Sequence, residues 1–68
     1  MLLTYDSRHD LLYLRFDETP QAVTNQRLTD DIVLDIGEND RIVGIEIMEA
    51  STHVNLSSLL PVKYELPR

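Results

Sequence analysis

The chain has no cysteine and no tryptophan, and only two glycines, among its 68 residues. Without cysteine, neither a disulfide framework nor a cysteine-based zinc site can stabilise the fold. At this length folding buries only about 60% of the surface that the unfolded chain exposes, so the hydrophobic core is marginal. A partner chain that covers apolar surface would therefore add stability.

Long hydrophobic runs are also absent. The longest uninterrupted apolar run is Leu11 to Leu14, far short of the roughly 20 residues that span a bilayer. The N-terminus lacks a basic segment followed by a long apolar run and a small-residue cleavage site, so it does not read as a secretory signal. We therefore expect no membrane association and a cytoplasmic location.

Basic residues are scarce. Six Lys and Arg stand against twelve Asp and Glu, and the net charge is −6. A chain of this sign repels phosphate backbones, which argues against direct nucleic-acid binding. A basic protein partner agrees with the charge, and so does a simple contribution to solubility.

The best-patterned stretch is residues 31–51, where apolar residues recur at every second position on either side of a polar turn. This period is typical of half-buried strands. Gly37 and Asn39 in the turn tolerate the positive φ that such loops require. The pattern predicts a β-hairpin whose core face carries six aliphatic residues: Ile32, Leu34, Ile36, Val43, Ile45 and Ile47.

The flanking segments predict the remaining elements. Residues 2–16 read as a first hairpin with a polar loop at 6–10, and residues 21–28 as a weak strand or an irregular crossover. A helix is expected from an N-cap at Ser51 or Thr52 to Pro61, which cannot continue it. We expect it to dock on the core face through these contacts: Leu56, Leu59 and Leu60 against Leu34, Ile45 and Ile47.

Together these elements predict a single small α+β domain over residues 1–68. Its expected architecture is an antiparallel β-meander of about four to five strands with one C-terminal helix packed on one face. Residues 61–68 alternate apolar and charged side chains, and we expect them to form an arm or a short strand.

One short helix can cover only one face of such a sheet. The opposite face, here called the reverse face, would then expose apolar side chains among charged ones, as interfaces of small domains do. We expect it to bind a protein partner, with a homodimer favoured and a basic toxin-like protein as a further partner. The predicted interface consists of Leu11, Tyr13, Val33, Asp35, Ile42, Gly44, Glu46 and Met48.

Two groups of residues offer an alternative, a small enzyme or a divalent-metal-binding domain. Asp35 and Glu46 lie on one predicted face and form a candidate acid–base pair. Asp6, His9 and Asp10 cluster in one loop and are metal-ligand types, although Asp is common in such turns for backbone reasons. No nucleophile–base pair has a recognisable spacing, so we expect no catalytic activity and no cofactor or metal.

Three segments resemble the small prokaryotic family known as domain of unknown function 2283. They are Tyr5-Asp6 with Asp10-Leu11-Leu12-Tyr13-Leu14, then Asp31-Ile32-Val33-Leu34-Asp35, and Arg41-Ile42-Val43-Gly44-Ile45-Glu46-Ile47 running on to Ala50-Ser51. The central turn departs from the family pattern, because Gly37-Glu38-Asn39-Asp40 stands where the family often has a second acid and a glycine. The resemblance implies a compact antiparallel sheet with a C-terminal helix and no established catalytic residues. It also implies an antitoxin-like or other protein-binding role, since such proteins are often encoded beside small toxin-like proteins.

Overall fold

A computed structural model of the chain describes residues 1–59. These residues form one five-stranded antiparallel sheet followed by two short helices. The α+β class, the antiparallel sheet and the C-terminal helical region predicted from the sequence are confirmed. The strands are β1 (Leu2–Asp6), β2 (Leu11–Arg15), β3 (Thr24–Arg27), β4 (Ile32–Ile36) and β5 (Ile42–Met48).

The order of the strands across the sheet is β1-β2-β5-β4-β3. The pairs β1–β2, β3–β4 and β4–β5 join strands that follow one another in the chain, whereas β2 pairs with β5 in the middle of the sheet. The connection after β2 crosses to the far edge, where β3 forms a short edge strand with all four residues exposed. This is the segment whose apolar content was too low to place from the sequence.

The central hairpin of β4 and β5 has the predicted register. Leu34 pairs with Ile45 and Ile32 with Ile47, so the aliphatic residues do share a face. The turn at 38–40 is closed by a hydrogen bond from the Arg41 backbone N–H to the Glu38 backbone oxygen at 3.2 Å. The positive φ values lie at Asn39 (58°) and Asp40 (59°), so the expectation of a positive φ at Gly37 is wrong.

The helix predicted from Ser51 to Leu60 is instead two four-residue helices, α1 (Ala50–His53) and α2 (Leu56–Leu59). The N-cap position is Glu49 rather than Ser51 or Thr52. Ser, Thr, His and Asn are weak helix formers, which explains the break between the helices. The Asn55 side chain also accepts hydrogen bonds from the Ser57 backbone N–H (3.1 Å) and hydroxyl (2.6 Å), so it starts a new helix.

The helices lie on the predicted core face. Leu56, Leu59 and Ile45 pack against a cluster of buried residues that includes Ile47. The predicted contact with Leu34 is not part of this cluster, and Leu60 and residues 61–68 lie outside the described residues. Of the six predicted core aliphatics only Val43 and Ile47 are buried; the other four are partly exposed. Helices this short do not reach across the whole sheet. Within residues 1–59, no helix is long and apolar enough to cross a membrane.

Candidate interface on the reverse face of the sheet

The three central strands position the residues of the reverse face. Tyr13 lies opposite Glu46, which in turn lies opposite Val33 on the other side of β5. Directly paired residues of antiparallel strands project to the same side. Seven of the eight predicted interface residues therefore share one face: Leu11, Tyr13, Val33, Asp35, Gly44, Glu46 and Met48.

Ile42 is the exception. The register of β4 and β5 shifts between Asp35 and Ile36, and the shift pairs Ile42 with Ile36. An extra residue of this kind changes the side to which the following side chains point. Ile42 therefore lies at the end of the core face with Ile36, where 49% of its surface is exposed.

Asp35 is the most deeply buried charged residue of the reverse face, with 6% of its surface exposed. The Tyr13 hydroxyl donates to its Oδ2 at 3.2 Å, and the Asn25 amide donates to its Oδ1 at 2.6 Å. Buried carboxylates need such donors, because an unpaired charge loses its hydration without compensation. The sequence analysis missed Asn25, since the position of β3 beside β4 was not evident from its composition.

Glu46 lies diagonally across from Asp35 on the same face. Burial raises the pKa of Glu46 above its usual value, and the neighbouring Asp35 carboxylate raises it further, while Arg27 acts in the opposite direction. Burial and the hydrogen bond to Asp35 also raise the pKa of Tyr13. The two carboxyl groups thus form an electrostatically coupled pair in which Glu46 retains its proton more readily than an ordinary glutamate.

The reverse face is less exposed than the sequence suggested. Val33 is 7% exposed and Gly44 is buried, while Leu11, Tyr13 and Met48 are half-buried. Leu11 pairs with Met48 at one end of the face, and Tyr13 lies beside Glu46 in the next row, so the half-buried side chains form a patch on one side of the two carboxyl groups. That these residues form an interface stays a prediction.

The loop residues proposed as metal ligands do not converge. Asp6 accepts a hydrogen bond from His9 Nδ1 at 2.8 Å and from two backbone N–H groups. The Asp10 carboxylate instead binds Tyr5 and Ser51. Across the part of the chain that the structure describes, no three Asp, Glu or His side chains form a group that holds a metal ion.

Asp10 belongs to a network that joins the first hairpin to α1. Its carboxylate accepts hydrogen bonds from the Tyr5 hydroxyl (2.8 Å), the Ser51 hydroxyl (2.6 Å) and the Ser51 backbone N–H (3.0 Å). These bonds lower the pKa of Asp10. Sequence reasoning missed the network, although its three side chains all stand in the segments that carry the family resemblance.

A polar cleft of about 330 Å³ lies away from the reverse face, where the crossover meets the turn after β4. Gln21 bridges it: its Oε1 accepts the Glu38 backbone N–H at 2.8 Å, and its Nε2 donates to Asp17 at 3.3 Å. Arg41 also approaches Asp17, at 3.7 Å. The polar groups of this cleft are thus largely engaged with one another, which indicates a structural role.

The comparison with protein families gives one match. A family model described as "Protein of unknown function (DUF2283)" matches residues 2–51 of the chain. No curated protein and no solved structure matches it. The matched range contains all five strands, the coupled carboxyl pair and the Asp10–Ser51 network.

Proposed function

The chain belongs to the DUF2283 family of proteins of unknown function, and we propose that it is a cytoplasmic protein-interaction module that self-associates through its reverse face. The observation that carries the proposal is that both described helices pack on the core face. The half-buried side chains of Leu11, Tyr13 and Met48 on the other side have no covering layer within residues 1–59. A contiguous apolar patch of this kind, with polar and charged groups beside it, is typical of protein interfaces.

The charges on the reverse face support a second copy as its partner. Arg15 and Arg27 lie on this face together with Asp6, Asp35 and Glu46, so it has a net charge of only −1, against −6 for the whole chain. Two copies can therefore meet there with little repulsion between like charges. In a two-fold symmetric dimer the same patch is used by both subunits. The role we propose for Asp35 and Glu46 is in this contact, not in catalysis.

The test is the oligomeric state in solution, measured by size-exclusion chromatography with light scattering. We expect the wild type to be a dimer at high micromolar concentration. Met48→Arg places a charge on the reverse face and should give a folded monomer. The matched control is Leu28→Arg, because Leu28 is 50% exposed after the edge strand and lies outside the reverse face, so this variant should still dimerise.

A wild type that stays monomeric at high micromolar concentration would contradict the proposal. So would a Met48→Arg variant that dimerises as strongly as the wild type. Circular dichroism of each variant separates loss of association from loss of the fold.

The distribution of charge favours a basic protein as a second partner. Because the reverse face has a net charge of only −1, most of the excess of acidic residues lies on the rest of the surface. Such a partner matches the toxin-like neighbour that the family resemblance implies. Titration with the product of the adjacent gene should show binding that weakens as salt is added, since exposed charges are screened. Binding that does not respond to salt would refute the electrostatic basis of this second interaction.

A further inference from the structure

We propose that self-association of this chain takes up protons, because docking two reverse faces buries the Glu46 carboxyl group beside Asp35 and so favours its protonated form. The dimer is then tighter in mildly acidic solution than in alkaline solution. The inference rests on the proposed function, since it concerns the regulation of the same surface.

The positions of the two carboxyl groups support proton uptake at Glu46. Asp35 is nearly inaccessible, and its carboxylate accepts hydrogen bonds from two donors, Tyr13 and Asn25. Glu46 is only half-buried and lies two residues further along β5 than Gly44, the residue that pairs with Asp35. Diagonal neighbours in a sheet are about 7–8 Å apart, so a charge on Glu46 is repelled by the charge on Asp35.

The basic groups of the reverse face lie at its opposite ends. Arg15 donates through Nε to the Asp17 backbone oxygen at 3.2 Å, beyond the end of β2. Arg27 donates through Nη1 to the Asp30 backbone oxygen at 2.7 Å, before the start of β4. Both guanidinium groups are thus anchored away from the centre of the face, and in the described residues Glu46 has no ion pair with either.

The other charged groups near this face are also engaged elsewhere. Asp6, at the end of β1, binds His9 at 2.8 Å. Asp31, just before β4, lies 2.9 Å from His53 of α1. Within residues 1–59, the centre of the face therefore contains two carboxyl groups, the neutral Tyr13 and Asn25, and no cation bonded to Glu46.

Docking a second copy changes the environment of Glu46 most. It removes the water that hydrates the half-buried carboxylate and brings the partner's own pair close to the two-fold axis. Both effects penalise the charged form of a carboxyl group. Protonation of Glu46 removes its charge and with it the repulsion from Asp35. The raised pKa of Glu46 in the single chain indicates that the pair already favours this state.

The test is the dissociation constant of the dimer as a function of pH, measured by sedimentation equilibrium between about pH 5 and pH 8. Uptake of one proton per subunit, and so two per dimer, limits the rise of the dissociation constant to about a hundredfold for each unit by which the pH increases. We expect at least a several-fold rise across the range. Glu46→Gln, which is neutral and of the same shape, should give a tight dimer whose dissociation constant does not change with pH. Glu38→Gln removes an exposed acid in the distant turn and should retain the dependence.

Three results separate this inference from the function on which it rests. A dimer whose dissociation constant is the same at every pH, or which tightens as the pH rises, overturns the proton-linked inference and leaves self-association intact. A chain that is monomeric at every pH overturns both.

As an independent measure, the NMR titration of the Glu46 side chain should give a higher pKa in concentrated, dimeric samples than in dilute ones; equal values also overturn the inference.

Discussion

Gly44 determines how the polar centre of the reverse face is built. A Cβ at this position would lie 2.8 Å from the Leu14 backbone oxygen, 2.8 Å from the Tyr13 hydroxyl oxygen and 3.1 Å from Tyr13 Cζ. The Tyr13 ring therefore crosses β5 over the space that a side chain would fill. This close approach lets the hydroxyl reach Asp35, which lies opposite Gly44.

We predict that Gly44→Ala destabilises the protein by about 1–3 kcal/mol, the usual cost of adding volume where the surroundings are fully packed. The contact with the Leu14 backbone oxygen cannot be relieved by turning a side chain, so the strand itself must shift. Urea unfolding monitored by circular dichroism measures the change. Thr24→Ala, on the exposed edge strand, is the control and should remain within about 0.5 kcal/mol of the wild type; an equal effect at both sites would disprove the role of the close approach.

At the scale of secondary-structure elements, Asp10 links the first hairpin to α1. Its backbone adopts the left-handed conformation, with φ of 52°. Its carbonyl oxygen accepts the Ala50 backbone N–H at 2.9 Å, and its carboxylate accepts the Ser51 backbone N–H and hydroxyl. These are the free donors at the start of a helix, which a neighbouring acidic or hydroxyl side chain usually satisfies. In this fold the capping group comes from a distant part of the chain.

We predict that Asp10→Ala lowers the melting temperature by several degrees, because α1 loses its N-terminal hydrogen bonds and its four residues cannot persist alone. Ser51→Ala should have a smaller effect in the same direction. In the double variant the two losses should be less than additive, since both single changes break the same hydrogen bond. Thermal unfolding of the four proteins provides the cycle, and strict additivity would show that the two residues act independently.

At the scale of the whole molecule, two sets of acids make the stability depend on pH in opposite directions. Hydrogen bonds lower the pKa values of Asp6, Asp10 and Asp17. The largest effect comes from His9 on Asp6, from the Ser51 side chain on Asp10 and from the Thr19 backbone N–H on Asp17. A group with a lowered pKa stabilises the fold above its unfolded pKa and loses this contribution as the pH falls through its folded pKa. Glu46, whose pKa is raised, does the opposite.

We predict that the free energy of unfolding rises as the pH is increased from strongly acidic values to about pH 4. It falls again at higher pH, where Glu46 loses its proton, because the pKa of Glu46 in the fold lies above its usual value. Glu46→Gln should abolish the decline on the alkaline side and leave the acidic limb unchanged. Urea midpoints across this range, at a protein concentration too low for association, measure both limbs. An unchanged alkaline decline in Glu46→Gln would exclude the coupled carboxyl pair as its cause.

Local patterns in the sequence determined most of the sheet. The period of two in residues 32–36 and 43–47 specified both the strands and the side chains that share a face, because a shift by one residue would turn every aliphatic side chain outward. The same reasoning placed Tyr13, Asp35, Gly44 and Glu46 on one face before their contacts were known. The motif segments also pointed to the family, and the family model confirms that assignment.

Only the tertiary structure decided what the chain brings together from distant positions. The pairing of β2 with β5 and of β3 with β4 places Asn25 against Asp35, and the fold places Asp10 at the start of α1. A register shift removes Ile42 from the reverse face. These features depend on contacts between residues far apart in the chain, whereas periodicity and turn chemistry describe each segment only in relation to its neighbours. The sequence therefore specified the faces of the sheet, and long-range pairing decided which groups meet on them.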